Sequence, residues 1–124
     1  MQYKLIKKHD PANRHKNPKW YAAPVYNGKI SAFQLNRQVI IQSKLDKDIV
    51  KKVVDITADE ISKLLTEGYS VMFDNMGTFR VSFSSEGVEE KEDFSPEMIN
   101  NIKVIFTPSV EFHEKLKTNI LSTQ

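Results

Sequence analysis

Six basic residues fall within the first nineteen positions: Lys4, Lys7, Lys8, Arg14, Lys16 and Lys19. Clustered ammonium and guanidinium groups neutralise phosphates and release their counterions, which favours binding of a polyanion. Trp20 and Tyr21 follow directly. Rings beside such a cluster can stack on bases. Aromatics in a strand more commonly pack in a core or between subunits, and that is the reading adopted for both.

The charge is segregated. Residues 1–30 carry +6, residues 31–81 are neutral and residues 82–124 carry −4, so the net +2 conceals a basic start and an acidic end. Such a segment attracts phosphate even when the total charge is small. The same composition also describes an ordinary solvated surface, and on charge alone that plainer reading is favoured because basic patches are common.

Other chemistry finds little support. His9, His15 and His113 show no recognised metal-ligand spacing. With no cysteine, neither a disulfide framework nor a Cys-based zinc site can form. Its absence fits a reducing compartment. There is no Gly-Lys-Ser/Thr phosphate loop, Gly-x-Gly-x-x-Gly or Gly-x-Ser-x-Gly motif. Carboxylate pairs such as Glu89–Glu90 sit in a polar run without an apolar pocket to tune them. Catalysis is not expected, and no metal or cofactor is implied.

The elements that must position the basic residues follow from pattern. Tyr3–His9 reads as a strand with Tyr3, Leu5 and Lys7 on one face at the period of two. Asp10–Pro18 is a loop, and Lys19–Tyr26 a second strand that Pro24 makes an edge or bulged strand. Ser31 with Gln34 forms a capping box for a helix to about Gln42. Asp46 caps a longer helix whose Ile49, Val53, Ile56, Ile61, Leu64 and Leu65 recur at helical spacing, and Gly68 ends it. Strands Ser70–Asp74 and Thr78–Phe83 follow, with Val71, Phe73, Phe79, Val81 and Phe83 inward. Their connector, Asn75-Met76-Gly77, is a hairpin turn in which glycine can take a positive φ. Residues 84–100 are polar and acidic, with a helix start at Ser95-Pro96-Glu97. Lys103–Thr107 is a strand, and Ser109 caps a last helix to Leu121. The fold class is α+β.

From Ser31 onward this order resembles the HU/IHF histone-like DNA-binding family. Glu67-Gly68-Tyr69-Ser70-Val71-Met72-Phe73-Asp74-Asn75-Met76-Gly77-Thr78-Phe79-Arg80-Val81 is similar to that family's EG-x-V-x-L-x-G-F-G-T-F-x-V stretch. Pro108 followed by Leu116-Lys117 is similar to its end. The N-terminal 30 residues, with Tyr3-Lys4-Leu5 and Trp20-Tyr21-Ala22, resemble the extension of a divergent HU-related subfamily of Bacteroidetes type. The resemblance implies a protomer of two helices, an antiparallel hairpin sheet with a remodelled arm and a C-terminal helix, preceded by an extra β-hairpin. It divides the chain into a basic extension, 1–30, packed on the same domain, and an HU-like domain, 31–124.

The departures are as informative. The family's arm carries arginines and an Arg-Asn-Pro tip whose proline wedges between base pairs. Here the two arm positions after Val81 fall on Ser82 and Ser84, no Arg-Asn-Pro occurs, and 86–97 sums to −5. The Gly-Lys pair of the last helix is His113-Glu114. The grip on DNA is therefore expected from Lys4, Lys7, Lys8, Arg14, Lys16 and Lys19, with Arg80, Lys103 and Lys117 completing the set.

The resemblance implies a homodimeric architectural protein that binds double-stranded DNA non-specifically through its backbone. It would be cytoplasmic and nucleoid-associated. The alternative is a scaffold that has lost DNA and serves as a protein-interaction module, with a basic protein partner at Glu86–Glu97. No membrane association is expected. The start of the chain is polar and no apolar run approaches the roughly 20 residues of a span.

Overall fold

The computed structural model describes residues 1–13 and 15–122. They form an α+β chain that divides into two compact units, Ser31–Glu114 and Met1–Ile30 with the residues from Lys115 onward. Among the described residues no helix is long and apolar enough to cross a membrane.

In the first thirty residues, β1 (Tyr3–Lys8) and β2 (Lys19–Pro24) pair as an antiparallel ribbon. The amide of Val25 donates to the carbonyl of Gln2 at 2.9 Å and prolongs the ladder by one bond. The connecting loop is held by local turns. Asp10 accepts from the Ala12 amide at 2.9 Å and Asn13 from the His15 amide at 3.2 Å. Such short polar side chains satisfy backbone donors where no strand partner exists.

The other unit begins with α1 (Ala32–Ser43) and α2 (Lys47–Thr66). The capping box forms as expected. The Ser31 hydroxyl accepts from the Gln34 amide at 3.1 Å, and the Gln34 side chain accepts from the Ser31 amide at 2.8 Å. Asp46 accepts from the Asp48 amide at 2.8 Å at the start of α2. At its end Gly68 has φ +94°, and the amides of Gly68 and Tyr69 donate to the carbonyls of Leu65 and Leu64. Two otherwise unpaired carbonyls are satisfied by that left-handed turn.

Three strands follow in the order β3 (Val71–Phe73), β4 (Gly77–Ser85) and β5 (Ile99–Pro108), all antiparallel. The last helix, α3 (Val110–Ser122), starts at Ser109. The Ser109 hydroxyl accepts from the Phe112 amide at 3.0 Å and donates to the Asn75 carbonyl, tying the helix start to the β3–β4 turn.

Gly77 departs from expectation in its reason. It does not take a positive φ; Asp74 in the turn does, at 47°. What Gly77 supplies is space. A Cβ there would overlap the Thr107 carbonyl oxygen and lie 2.9 Å from both Phe106 Cζ and the Pro108 Cα. Beside it the Phe79 and Phe106 rings sit 5.0 Å apart, and Phe106 meets Phe112 edge-on at 6.5 Å.

Two further differences lie around an irregularity in the ladder. The strand expected at Lys103–Thr107 begins at Ile99, and Phe83, expected inward, is 58% exposed. The ladder slips between Ser82 and Ser84, where one residue of β4 faces two of β5. Asn101 takes φ 54° in that bulge, and its side chain donates to the Ser84 hydroxyl, which donates to Asn100. The extra residue is in β5 and resets the alternation of that strand, whereas Val81, before the bulge on the same face of β4 as Phe83, is already 39% exposed. The strand continues through polar residues that carry no alternation signal. Beyond it, the helix start expected at Ser95 is a single 3-10 turn, Pro96–Met98, after another at Lys91–Asp93.

Little of this is deeply buried within one chain. Among the described residues, Val50 and Leu65 are the buried hydrophobics, at 4% and 9% exposure.

Candidate nucleic-acid interface

The register of the ribbon decides how its basic residues are grouped. Cross-strand partners share a face, and successive residues alternate. Lys4, Ile6 and Lys8 therefore share one face with Ala23, Tyr21 and Lys19. Tyr3, Leu5 and Lys7 share the other with Pro24, Ala22 and Trp20. The first face is partly covered at Ile6, Tyr21 and Ala23, whereas the second is open along its length.

The charge gathers toward the loop end. Lys8 stands directly opposite Lys19, and Lys7 opposite Trp20, on the last two rungs before the loop that carries Lys16. Like charges directly opposed in a ladder are unfavourable unless a counter-ion joins them. The pair is thus a point where a phosphate would relieve repulsion. Lys4 lies further back, paired with Ala23. Arg14, the remaining basic residue expected in this segment, lies outside the described residues.

Each of two lysines covers a ring. The Lys7 ammonium is 5.8 Å from the Trp20 ring centre, and that of Lys8 is 4.9 Å from the Tyr21 ring centre. Trp20 is 63% exposed, so within one chain it is not the core residue its strand position suggested. The sequence offered no signal for this. Whether an aromatic in a strand is inside depends on what lies across from it and above it, which the register alone reveals.

The other expected basic residues belong to different elements. Arg80 pairs with Ile105 and Lys103 with Ser82, so the two are diagonal neighbours on one face of β4–β5. Phe79, Val81, Val104 and Phe106 occupy the opposite face. Lys117 is exposed on α3, among the residues grouped with the ribbon.

Where the family's arm arginines would stand, Ser82 is half-buried and Ser84 is committed to Asn100 and Asn101. Glu86, Glu89, Glu90, Glu92, Asp93 and Glu97 are all exposed. Lys91 is the one basic residue of residues 86–97, and the ion pairs Lys51–Asp55 and His113–Glu114 lie outside this segment. No group of three or more potential metal ligands occurs among the described residues.

The model of one protein family, HU-HIG, described as an HU domain fused to wHTH, Ig or a glycine-rich motif, matches residues 1–122. Among solved structures, the chain is similar to one described as a candidate bacterial DNA binding protein from Bacteroides vulgatus ATCC 8482. The TM-score is 0.63 at 12% identity, over 94% of this chain and 44% of that one. At that identity the likeness is one of fold, and this chain spans less than half of its neighbour's length. No curated protein matches.

Proposed function

The chain belongs to the HU-HIG family of HU domains, and from that premise we propose that it is a histone-like DNA-binding protein. It holds double-stranded DNA by backbone contacts, with little base preference, in an architectural role. The single observation that carries this reading is the basic end of the N-terminal ribbon, where Lys7, Lys8 and Lys19 occupy adjacent rungs beside Lys16. Lys4, Arg14, Arg80, Lys103 and Lys117 are assigned supporting phosphate contacts. Contacts of this kind fix orientation and carry no sequence information. A cytoplasmic, nucleoid-associated location follows from the same reading.

The acting form is a homodimer. Ile49, Val53 and Ile56 on α2 are each more than half exposed in the single chain, at 51%, 57% and 51%. With Val50 and Leu65 the only buried hydrophobics among the described residues, one chain covers too little of its apolar surface. A second copy offers the same surface in return, as two-fold interfaces require. Light scattering on the purified protein is expected to give twice the 14.3 kDa chain mass. A mass of one chain rejects the dimer.

Mobility shift with a random-sequence duplex at about 50 mM salt tests DNA binding, since non-specific complexes form readily at that ionic strength. Complexes that weaken steeply with salt are expected. No shift by the parent protein ends the proposal.

A second reading has its own observation. The six exposed carboxylates of residues 86–97 suit a basic protein partner. A polylysine peptide would bind the parent chain and lose that binding when Glu89, Glu90 and Glu92 become Gln. Binding of the peptide without any binding of duplex would favour a protein-interaction module over the DNA reading.

A further inference from the structure

Exposed apolar surface is common in this chain, but Trp20 differs from the rest. The exposed Ile49, Val53 and Ile56 recur at helical spacing on α2, as suits another protein surface. Trp20 stands on a two-stranded ribbon, directly across from a lysine whose ammonium rests 5.8 Å from its ring. On the same open face Leu5 pairs with Ala22 and Tyr3 with Pro24. Four residues of β-strand separate Tyr3 from Lys7, a span of about 13 Å. The face thus offers two rings, Tyr3 on one strand and Trp20 on the other, with Leu5 and Ala22 between them and a cation beside Trp20.

An intact duplex, whose bases are stacked inside, offers this face phosphates for Lys7 but no free base for its rings. The face matches the needs of unpaired nucleotides. Every base has a π-face that an indole can cover, and each base brings a phosphate that an adjacent ammonium can neutralise. The Lys7 ammonium has no carboxylate partner among the described residues, only the ring. Exchanging an exposed cation–π contact for a phosphate gives up little.

We propose that the open face of the N-terminal ribbon is a stacking platform for unpaired nucleotides, with Trp20 taking a base and Lys7 the neighbouring phosphate. This rests on the nucleic-acid reading above and adds to it a ligand class, single-stranded or locally opened DNA.

Trp20 is the sole tryptophan of the chain, so its fluorescence reports on this face alone. The experiment titrates the full chain with oligo(dT) at low salt while following emission, beside a mobility shift with intact duplex. Saturable quenching by oligo(dT), with much less by duplex, is the expected result. Trp20→Ala should weaken oligo(dT) binding about 5- to 150-fold and leave duplex binding nearly unchanged. Trp20→Phe, which keeps a ring, should retain much of the oligo(dT) affinity. Lys7→Ala should lower the salt slope for the oligonucleotide by about 0.7.

Unchanged emission at saturating oligo(dT), with duplex binding intact, overturns the platform and leaves the duplex reading standing. Absence of binding to either nucleic acid overturns both. An emission shift that follows protein concentration without oligonucleotide places the ring between protein copies and also overturns the platform.

Discussion

Two antiparallel ribbons in this chain carry opposite chemistry on the same backbone device. The first, β1–β2, ends in Lys7, Lys8 and Lys19 with two rings beneath lysine ammonium groups. The second, β4–β5, continues past its bulge through Ser84, Ser85 and Asn100 into a segment of exposed carboxylates. A projecting hairpin has no inherent affinity for phosphate. What it binds is set by the side chains at its end, because near a polyanion the Coulomb term changes sign with the charge while the backbone stays the same. In a family whose resemblance points to the second ribbon as the gripping arm, this chain moves its positive charge to the first.

That contrast can be broken directly. Replacing Lys7, Lys8 and Lys19 with Ala should reduce duplex affinity on the order of a hundredfold at low salt and lower the salt slope by about 2.7 per ribbon. An unchanged slope would mean that the phosphates are held elsewhere, and the comparison would lose its meaning.

The next effect separates the base of the second ribbon from its tip. Gly77→Ala should cost about 1–3 kcal/mol in urea unfolding, because the new methyl meets backbone atoms of Thr107 and Pro108 that cannot step aside. Gly87→Ala has open space around it and no positive φ. It should be neutral or stabilise by up to about 1 kcal/mol. Equal losses at both positions would show that the close approach at Gly77 is not what holds the arm's base.

Ser31→Ala, which removes half of the capping box of α1, should cost about 1 kcal/mol by the same measurement while leaving nucleic-acid binding intact. The smallest effect concerns the acidic segment. Changing Glu89, Glu90 and Glu92 to Gln should tighten duplex binding only a few-fold, and less as salt rises, since exposed charges act through a screened field. A large gain would mean that the second ribbon faces the duplex closely and that the two ribbons share one site.

Much of the site was legible without coordinates. The basic cluster, the loss of the arm arginines to Ser82 and Ser84, and the acid run 86–97 are properties of composition. What could not be read was their grouping. Strand alternation already separates Lys7 from Lys8, but Lys19 joins Lys8, and Trp20 comes to face Lys7, only because the register puts them there. Trp20 read as a packed strand aromatic and is mostly exposed.

The division follows the range of the forces. Caps at Ser31, Asp46 and Gly68 act within three or four residues of themselves, so the local order of amino acids was enough to set where helices begin and end. Charge segregation is likewise a sum over neighbours. Register, the space Gly77 must leave for Thr107, and the bulge at Asn101 each depend on a residue ten to thirty positions away. No local pattern encodes which distant backbone will lie alongside, so these features existed only once the strands had paired.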